Sequence, residues 1–192
     1  MTDKKKIDKR TAIIEASLKL FTENGFQETS TNSISKEAGV ATGTLFVYFS
    51  SKDELINKIY FESKESYSSY AQMNFEETGK FENKLKKVWD QSIEWALQNP
   101  LQFKFLLQFS NSPFITKLTK QEISNSFLFL RKIFNQALED KQIIQCDIEL
   151  IISLYYSHIN TTTMYFLNKP EKKDIEALAE KSFSIFSNGL KA

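Results

Sequence analysis

An all-α fold is what this sequence predicts, and three observations carry that prediction. Glycine and proline are scarce, 5 and 3 in 192 residues. No segment alternates apolar and polar residues between hairpin turns. Apolar residues recur instead at spacings of three and four along most of the chain, the period of a helix with one buried face. The apolar and charged fractions, 41% and 26%, are those of an ordinary globular chain. The 17 phenylalanines exceed what a small three-helix unit can bury, so a second, larger core must lie downstream. The expected architecture is a three-helix helix-turn-helix unit in residues 1–50, then a larger helical bundle in 51–192. Helix start and stop signals give about nine helices in all.

The elements follow in order. The first helix spans about residues 7–24, with Ile14, Ser17, Leu18 and Phe21 on one face and Ile13 and Leu20 beside it. Asn24-Gly25 ends it, because glycine accepts the left-handed cap conformation. A second helix fits 31–38, capped by Thr29 or Ser30 and broken by Gly39. A third fits 42–49, with Leu45 and Phe49 inward. Ser51 caps a long fourth helix whose first turn carries Asp53 and Glu54, favourable near its positive end. It continues through Leu55, Ile59, Ser63, Tyr67 and Tyr70 to near Gly79.

The fifth helix, 81–98, repeats Leu85, Val88, Trp89, Ser92 and Ala96. Pro100 suits the first turn of a sixth, carrying Phe103, Phe105, Leu106 and Phe109, and 110–113 reads as a loop. A seventh covers 117–141 with Ile123, Phe127, Leu130, Phe134 and Leu138 in register. The last two are the most regular. Ile148, Ile151, Ile152, Tyr155, Ile159, Thr162 and Phe166 mark 147–168, and Ile175, Leu178, Ala179, Ser182, Phe186 and Leu190 mark 174–190. The short Lys169-Pro170 turn predicts that they pack antiparallel.

Net charge is only +1, yet the first ten residues hold Lys4, Lys5, Lys6, Lys9 and Arg10 against Asp3 and Asp8. A basic arm on a near-neutral body fits a protein that meets nucleic acid with one end. The lysines have no apolar segment behind them, and no run approaches the ~20 apolar residues of a membrane helix. The single cysteine, Cys146, cannot pair within the chain. A cytoplasmic location is expected.

The segment 29–52, TSTNSISKEAGVATGTLFVYFSSK, carries the chemistry. Two short helices meet at Gly39, and the second presents small polar and aromatic residues outward, as a helix entering a major groove does. The pattern from Ile34 through Ala38-Gly39-Val40, Gly43-Thr44-Leu45-Phe46, Tyr48-Phe49 and Lys52 to Leu55 resembles the head of the TetR family of bacterial transcriptional regulators. Ile13-Ile14, Leu20-Phe21 and Gly25-Phe26 resemble that family's first helix, so the likeness covers about residues 7–60. It implies a homodimer with two DNA-binding heads on a body that binds an effector and dimerises through its last two helices. DNA contacts then fall on Ser30, Thr31 and Asn32, and on Thr42, Gly43, Thr44, Phe46, Val47 and Tyr48, with Lys52 as a phosphate anchor. Phe46 stands where many relatives carry Tyr, and no arginine occurs between residues 11 and 52. Base readout is therefore expected from Asn32, Thr42 and Thr44 together with DNA shape, without guanine-reading arginine forks.

In the body, the aromatics Tyr70, Trp89, Trp95, Phe103, Phe105, Phe109 and Phe127 either pack a core or wall an effector pocket. Tyr70, Trp89, Trp95, Phe103, Phe109, Phe127 and Tyr155 are the effector-binding candidates, with Gln102, Gln108 and Asn111 as further polar groups. Such a pocket suits a small amphipathic or hydrophobic compound. The expected dimer face comprises Ile151, Tyr155, His158, Thr162, Leu178, Ser182 and Phe186. His158 has no neighbouring carboxylate or cysteine constellation, so no metal is expected, and no cofactor either. Cys146, beside Asp147 at a helix start, reads as a structural thiol, with a redox-sensing role as the alternative. The leading expectation is a repressor released from a palindromic operator by its effector. The alternative is a regulator whose body binds another protein. An enzyme is not expected: no nucleophile–base pair, paired carboxylates or phosphate-cradling loop is present.

Overall fold

The computed structural model of the chain describes residues 8–73, 78–117, 119, 121, 128–169 and 174–191. Among these, every regular element is an α-helix: α1 (Lys9–Glu28), α2 (Thr31–Glu37), α3 (Thr42–Tyr48), α4 (Lys52–Ala71), α5 (Phe81–Gln98), α6 (Pro100–Phe109), α7 (Leu128–Glu139), α8 (Ile148–Leu167) and α9 (Ile175–Gly189). The predicted all-α architecture is the one found. Lys117, Thr119 and Gln121 are also helical, while Ile123 and Phe127 of the expected seventh helix lie outside the described residues.

The chain forms two compact units. A head unit takes Met1–Lys64 together with Leu101–Lys120; a body unit takes Glu65–Pro100 and Gln121–Ala192. The reason lies in what the first half of α4 buries. Leu55, Ile56, Ile59 and Tyr60 are buried, and Phe105 of α6 lies 6.3 Å from the Tyr60 ring and 6.5 Å from Phe21. The aromatic stretch of α6 thus completes the core of the head.

Within the head, Asp8 caps α1 by accepting the Arg10 amide. The expected stop at Gly25 is a kink: its φ of 81° and ψ of 170° break the helix, which resumes to Glu28. That bend turns Phe26 inward to within 5.5 Å of Phe21. Ile13, not Ile14, is the fully covered residue of the first two turns.

In the body, α4 ends at Ala71, about two turns before Gly79 at 3.6 residues per turn. Trp89 of α5 is its hub, ringed by Tyr155, His158, Phe183 and Phe186 at centroid distances of 5.4 to 5.9 Å. Tyr155 meets Phe186 while His158 and Thr162 meet Ser182, so α8 and α9 run antiparallel. Phe134 of α7 joins the same cluster through Tyr155 and reaches Phe81 at the start of α5.

Candidate nucleic-acid interface

Side-chain oxygens and one glycine place the two short helices. Ser30 and Ser33 form a reciprocal cap: the Ser33 amide donates to Ser30 Oγ at 3.0 Å, and the Ser30 amide donates to Ser33 Oγ at 3.1 Å. Just before it, Thr29 is buried, its hydroxyl donating to the Gly25 carbonyl at 2.7 Å with the Leu20 carbonyl at 3.1 Å. α2 then ends in a Schellman turn. The Val40 amide reaches back to Ser35 O and the Gly39 amide to Lys36 O, with Gly39 at φ 66°. A side chain at Gly39 would strain that left-handed turn and misplace α3. Ile34, Leu45 and Phe49 seal the pair of helices to the rest of the head.

What remains outward is the predicted reading face. Val47 is 81% exposed, Phe46 48% and Tyr48 40%; Asn32 and Gly43 are exposed, with Thr31, Thr42 and Thr44 partly so. Thr42 donates to Asn32 Oδ1 at 3.3 Å, joining the start of α3 to the start of α2. The face is neutral and offers hydroxyls, one amide and apolar surface, which suits thymine methyls and single hydrogen bonds.

Lys52 departs from expectation. Its ammonium donates to the carbonyls of Phe26 at 2.8 Å and Thr29 at 3.0 Å, and sits 4.2 Å from the centre of the Phe26 ring. It ties the start of α4 to the linker before α2, a structural role that the sequence reading did not include. Other cations are engaged inside the head as well. Arg10 pairs with Glu62 and lies 5.7 Å over the Phe49 ring, and Lys19 pairs with Glu37 at 2.7 Å. Sequence alone carried no signal of these partners, which are up to 52 residues away. Lys4, Lys5 and Lys6 lie outside the described residues.

The effector candidates are split between the units. Trp89, Trp95 and Tyr155 are buried in the body, where Trp95 donates to Ser66 Oγ at 3.0 Å and meets the Tyr67 ring at 5.2 Å. Tyr70 is partly exposed and accepts from Gln98. Phe103 and Phe109 belong to the head unit, Phe109 packing against Phe21 and Phe105; Phe127 lies outside the described residues. The buried polar atoms of the body include four without a hydrogen-bond partner among the described residues: Trp89 Nε1, Gln91 Oε1, Tyr155 OH and Thr163 Oγ1. Burial raises the Tyr155 hydroxyl pKa well above its usual value, helped by nearby Tyr67 and Tyr156, and burial lifts Tyr67 to about 12. Both hydroxyls are neutral at physiological pH.

The α8/α9 face also differs from expectation. Ile151, Tyr155 and Phe186 point into the monomer core, so they are unavailable to a second copy. His158, Thr162, Leu178 and Ser182 line an outer groove of about 690 Å³ with Leu154, Thr161, Tyr165 and Ile185. The signal was in the sequence: α8 is apolar on a second stripe, Leu150, Leu154 and Tyr165, which is exposed. His158 Nε2 and Thr162 Oγ1 both meet Ser182 Oγ, at 2.9 and 2.6 Å. Partial burial lowers the His158 pKa, opposed by Ser182.

Residues 13–59 match the family description "Bacterial regulatory proteins, tetR family". That span begins at Ile13 in α1, contains all of α2 and α3, and ends within the part of α4 that packs on the head. A TetR-family transcription regulator from Shewanella sp. PV-4 is 29% identical and superposes with a TM-score of 0.85, over 96% of this chain and 99% of that one. The chain belongs to the TetR family. As a TetR-family protein it is a DNA-binding transcriptional regulator, and the relatives it matches are regulators rather than enzymes. Two others matched by this TetR-family chain span nearly its whole length. The fatty acid metabolism regulator protein of Bacillus subtilis is 23% identical over 97% of this chain and 98% of its own. The transcriptional regulator FadR from Bacillus subtilis, solved with stearoyl-CoA, is 21% identical with a TM-score of 0.74, over 94% and 99% of the two chains. No helix among the described residues is long and apolar enough to cross a membrane.

Proposed function

We propose that this regulator is a dimeric repressor, released from a palindromic operator by a long-chain acyl thioester held in its body. The observation that carries the reading is the set of unpartnered polar atoms inside the aromatic core. Trp89 Nε1–H can only donate and the Thr163 hydroxyl can donate, and both residues are fully buried; the Tyr155 hydroxyl, also buried, has the Ser92 hydroxyl beside it and keeps its own proton to donate. Buried polar groups in folded proteins find a partner in water or a ligand, and an unmade bond costs about 1–3 kcal/mol. A ligand with a long apolar chain and a carbonyl acceptor matches those donors. Full-length similarity to a fatty acid metabolism regulator and to a structure holding stearoyl-CoA supports the same class.

The exposed apolar stripe of α8 and α9 is the face we assign to the second copy. Among the described residues of the body, Tyr165 on that face is the one aromatic among the large exposed apolar side chains. That distribution favours a sensor over a body built to dock another protein. Two recognition helices must lie about 34–36 Å apart to enter successive major grooves, so a ligand that favours another spacing removes bivalent binding. The test uses operator duplexes selected from random DNA by the protein itself and followed by fluorescence anisotropy. Palmitoyl- or stearoyl-CoA should release the duplex, while free CoA and octanoyl-CoA should need far higher concentrations. Equal release by free CoA, or none by any acyl-CoA, contradicts the reading.

A further inference from the structure

Asn57, on the outer half-buried side of α4, uses its whole side-chain amide on two segments of the chain. Its Nδ2 donates to the Asp53 carbonyl one turn back at 2.8 Å and to the Phe114 carbonyl at 2.9 Å. Its Oδ1 accepts from the Thr116 amide at 2.9 Å and from the Thr119 hydroxyl at 3.0 Å. Two donors and two acceptor sites are all filled. Thr116 Oγ1 in turn accepts the Thr119 amide at 3.1 Å, capping the helical stretch that opens at Lys117. The turn between α6 and that stretch is held largely by these side chains. Its own backbone contributes the Ser112 amide to Phe109 O at 3.0 Å and the Ile115 amide to Ser112 O at 3.3 Å.

From this turn, contacts run without a gap to the reading face. The Phe114 ring stacks on Phe26 at 4.2 Å. Phe26 carries Lys52 on its ring and, through its carbonyl, on its backbone; Lys52 also holds the Thr29 carbonyl. The next residue is Ser30, which caps α2 and precedes Thr31 and Asn32. All of these residues belong to the head unit, and the chain leaves that unit for the body just after Lys120.

We infer that Asn57 is a positioning residue for regulation: it fastens the turn 114–119 to α4, so that a displacement of the chain entering at 117–121 is passed to the caps of α2. This rests on the sensor reading above and names how that sensor reaches the head. Asn57 touches no DNA in this account, and an amide is required there. Aspartate keeps the acceptors but sets a charge against the Phe114 and Asp53 carbonyls. Leucine removes all four bonds at similar volume.

The test compares wild type, Asn57→Asp, Asn57→Leu and Thr119→Val on the selected operator with palmitoyl-CoA. Trp fluorescence should report palmitoyl-CoA binding within threefold of wild type, and operator affinity without ligand should also stay within threefold. The palmitoyl-CoA concentration for half-release should rise at least tenfold in both Asn57 variants and less in Thr119→Val. Asn57→Asp combined with Thr119→Val should be no worse than Asn57→Asp alone, since both cut one connection. Release at the wild-type concentration overturns the inference. So does operator affinity lost in step with melting temperature, which marks a purely structural role. If wild type ignores palmitoyl-CoA, the sensor reading fails and hydrogen exchange judges Asn57 separately. Faster exchange in Asn57→Asp at both 114–117 and 30–34 supports the connection; faster exchange at 114–117 alone overturns it.

Discussion

The head and the body differ in how far their buried polar groups are paired, although Ser92 in the body donates to Val88 O just as the head hydroxyls do to their own helices. In the head, Ser17 donates to Ile13 O, Ser35 to Thr31 O and Thr29 to Gly25 O, and each of these covered hydroxyls is satisfied by the backbone of its own segment. In the body lie the four buried side-chain atoms that have no partner among the described residues. Satisfied networks fix one arrangement, whereas unmade bonds in a dry interior leave free energy to be gained from a ligand. The head is built as a fixed reader and the body as the part that can respond. Both present apolar surface, but Val47 and Phe46 sit on a seven-residue helix held by Leu45, while Leu150, Leu154 and Ile185 sit on two long antiparallel helices. The small neutral face gives little electrostatic affinity alone, which is why the proposed reading places a second copy's head on the same duplex.

The largest break in this comparison comes from the core of the reader. Leu45→Ala should destabilise the head by about 2–5 kcal/mol, the range for buried leucine truncation, and abolish operator binding. Urea unfolding and anisotropy measure the two effects, and they should move together. Lys52→Met comes next. Loss of its two carbonyl contacts and ring contact should cost about 1–2 kcal/mol at this partly exposed site. Because that ammonium faces inward, the slope of operator affinity against log salt should stay as in wild type. A slope shallower by about one phosphate contact would return Lys52 to the DNA surface.

A paired substitution then sharpens the contrast in polar satisfaction. Thr29→Val removes a satisfied hydroxyl and should cost about 1 kcal/mol, while Tyr155→Phe removes an unsatisfied one and should be neutral or stabilising by up to about 1 kcal/mol. Thermal unfolding of the ligand-free protein compares them. The smallest effect is the pH response of His158. Its pKa is lowered in the fold from 6.5, so the folded state favours the neutral ring. The stabilisation from this group is full above pH 6.5 and fades as pH falls below it. The folded chain should therefore lose a little thermal stability in mild acid, seen by thermal unfolding, and His158→Gln should flatten that response.

The head was legible from sequence because its signals are local. Ser30, Gly39, Leu45 and Phe49 each act within a few residues, and their caps, turn and buried spacing follow from chemistry visible in the string. The long-range partners of Lys52, Arg10 and Asn57 lie 23 to 62 residues away, and no periodicity announces them. The place of α6 was hidden for the same reason: Phe105 and Phe109 read as body aromatics until Phe21 and Tyr60 are seen against them. On α8 the spacing alone could not choose between two apolar stripes. Ile151 and Tyr155 went inward because Trp89 and Phe134 meet Tyr155 there, leaving Leu150 and Leu154 outside.

The most direct test of the responsive body is the fluorescence of the two tryptophans, Trp89 and Trp95, during titration with palmitoyl-CoA. The account predicts a saturable change, with affinity about tenfold weaker in Tyr155→Phe, the equivalent of one lost hydrogen bond at about 1.4 kcal/mol. No change in wild type, or equal affinity in Tyr155→Phe, would contradict it.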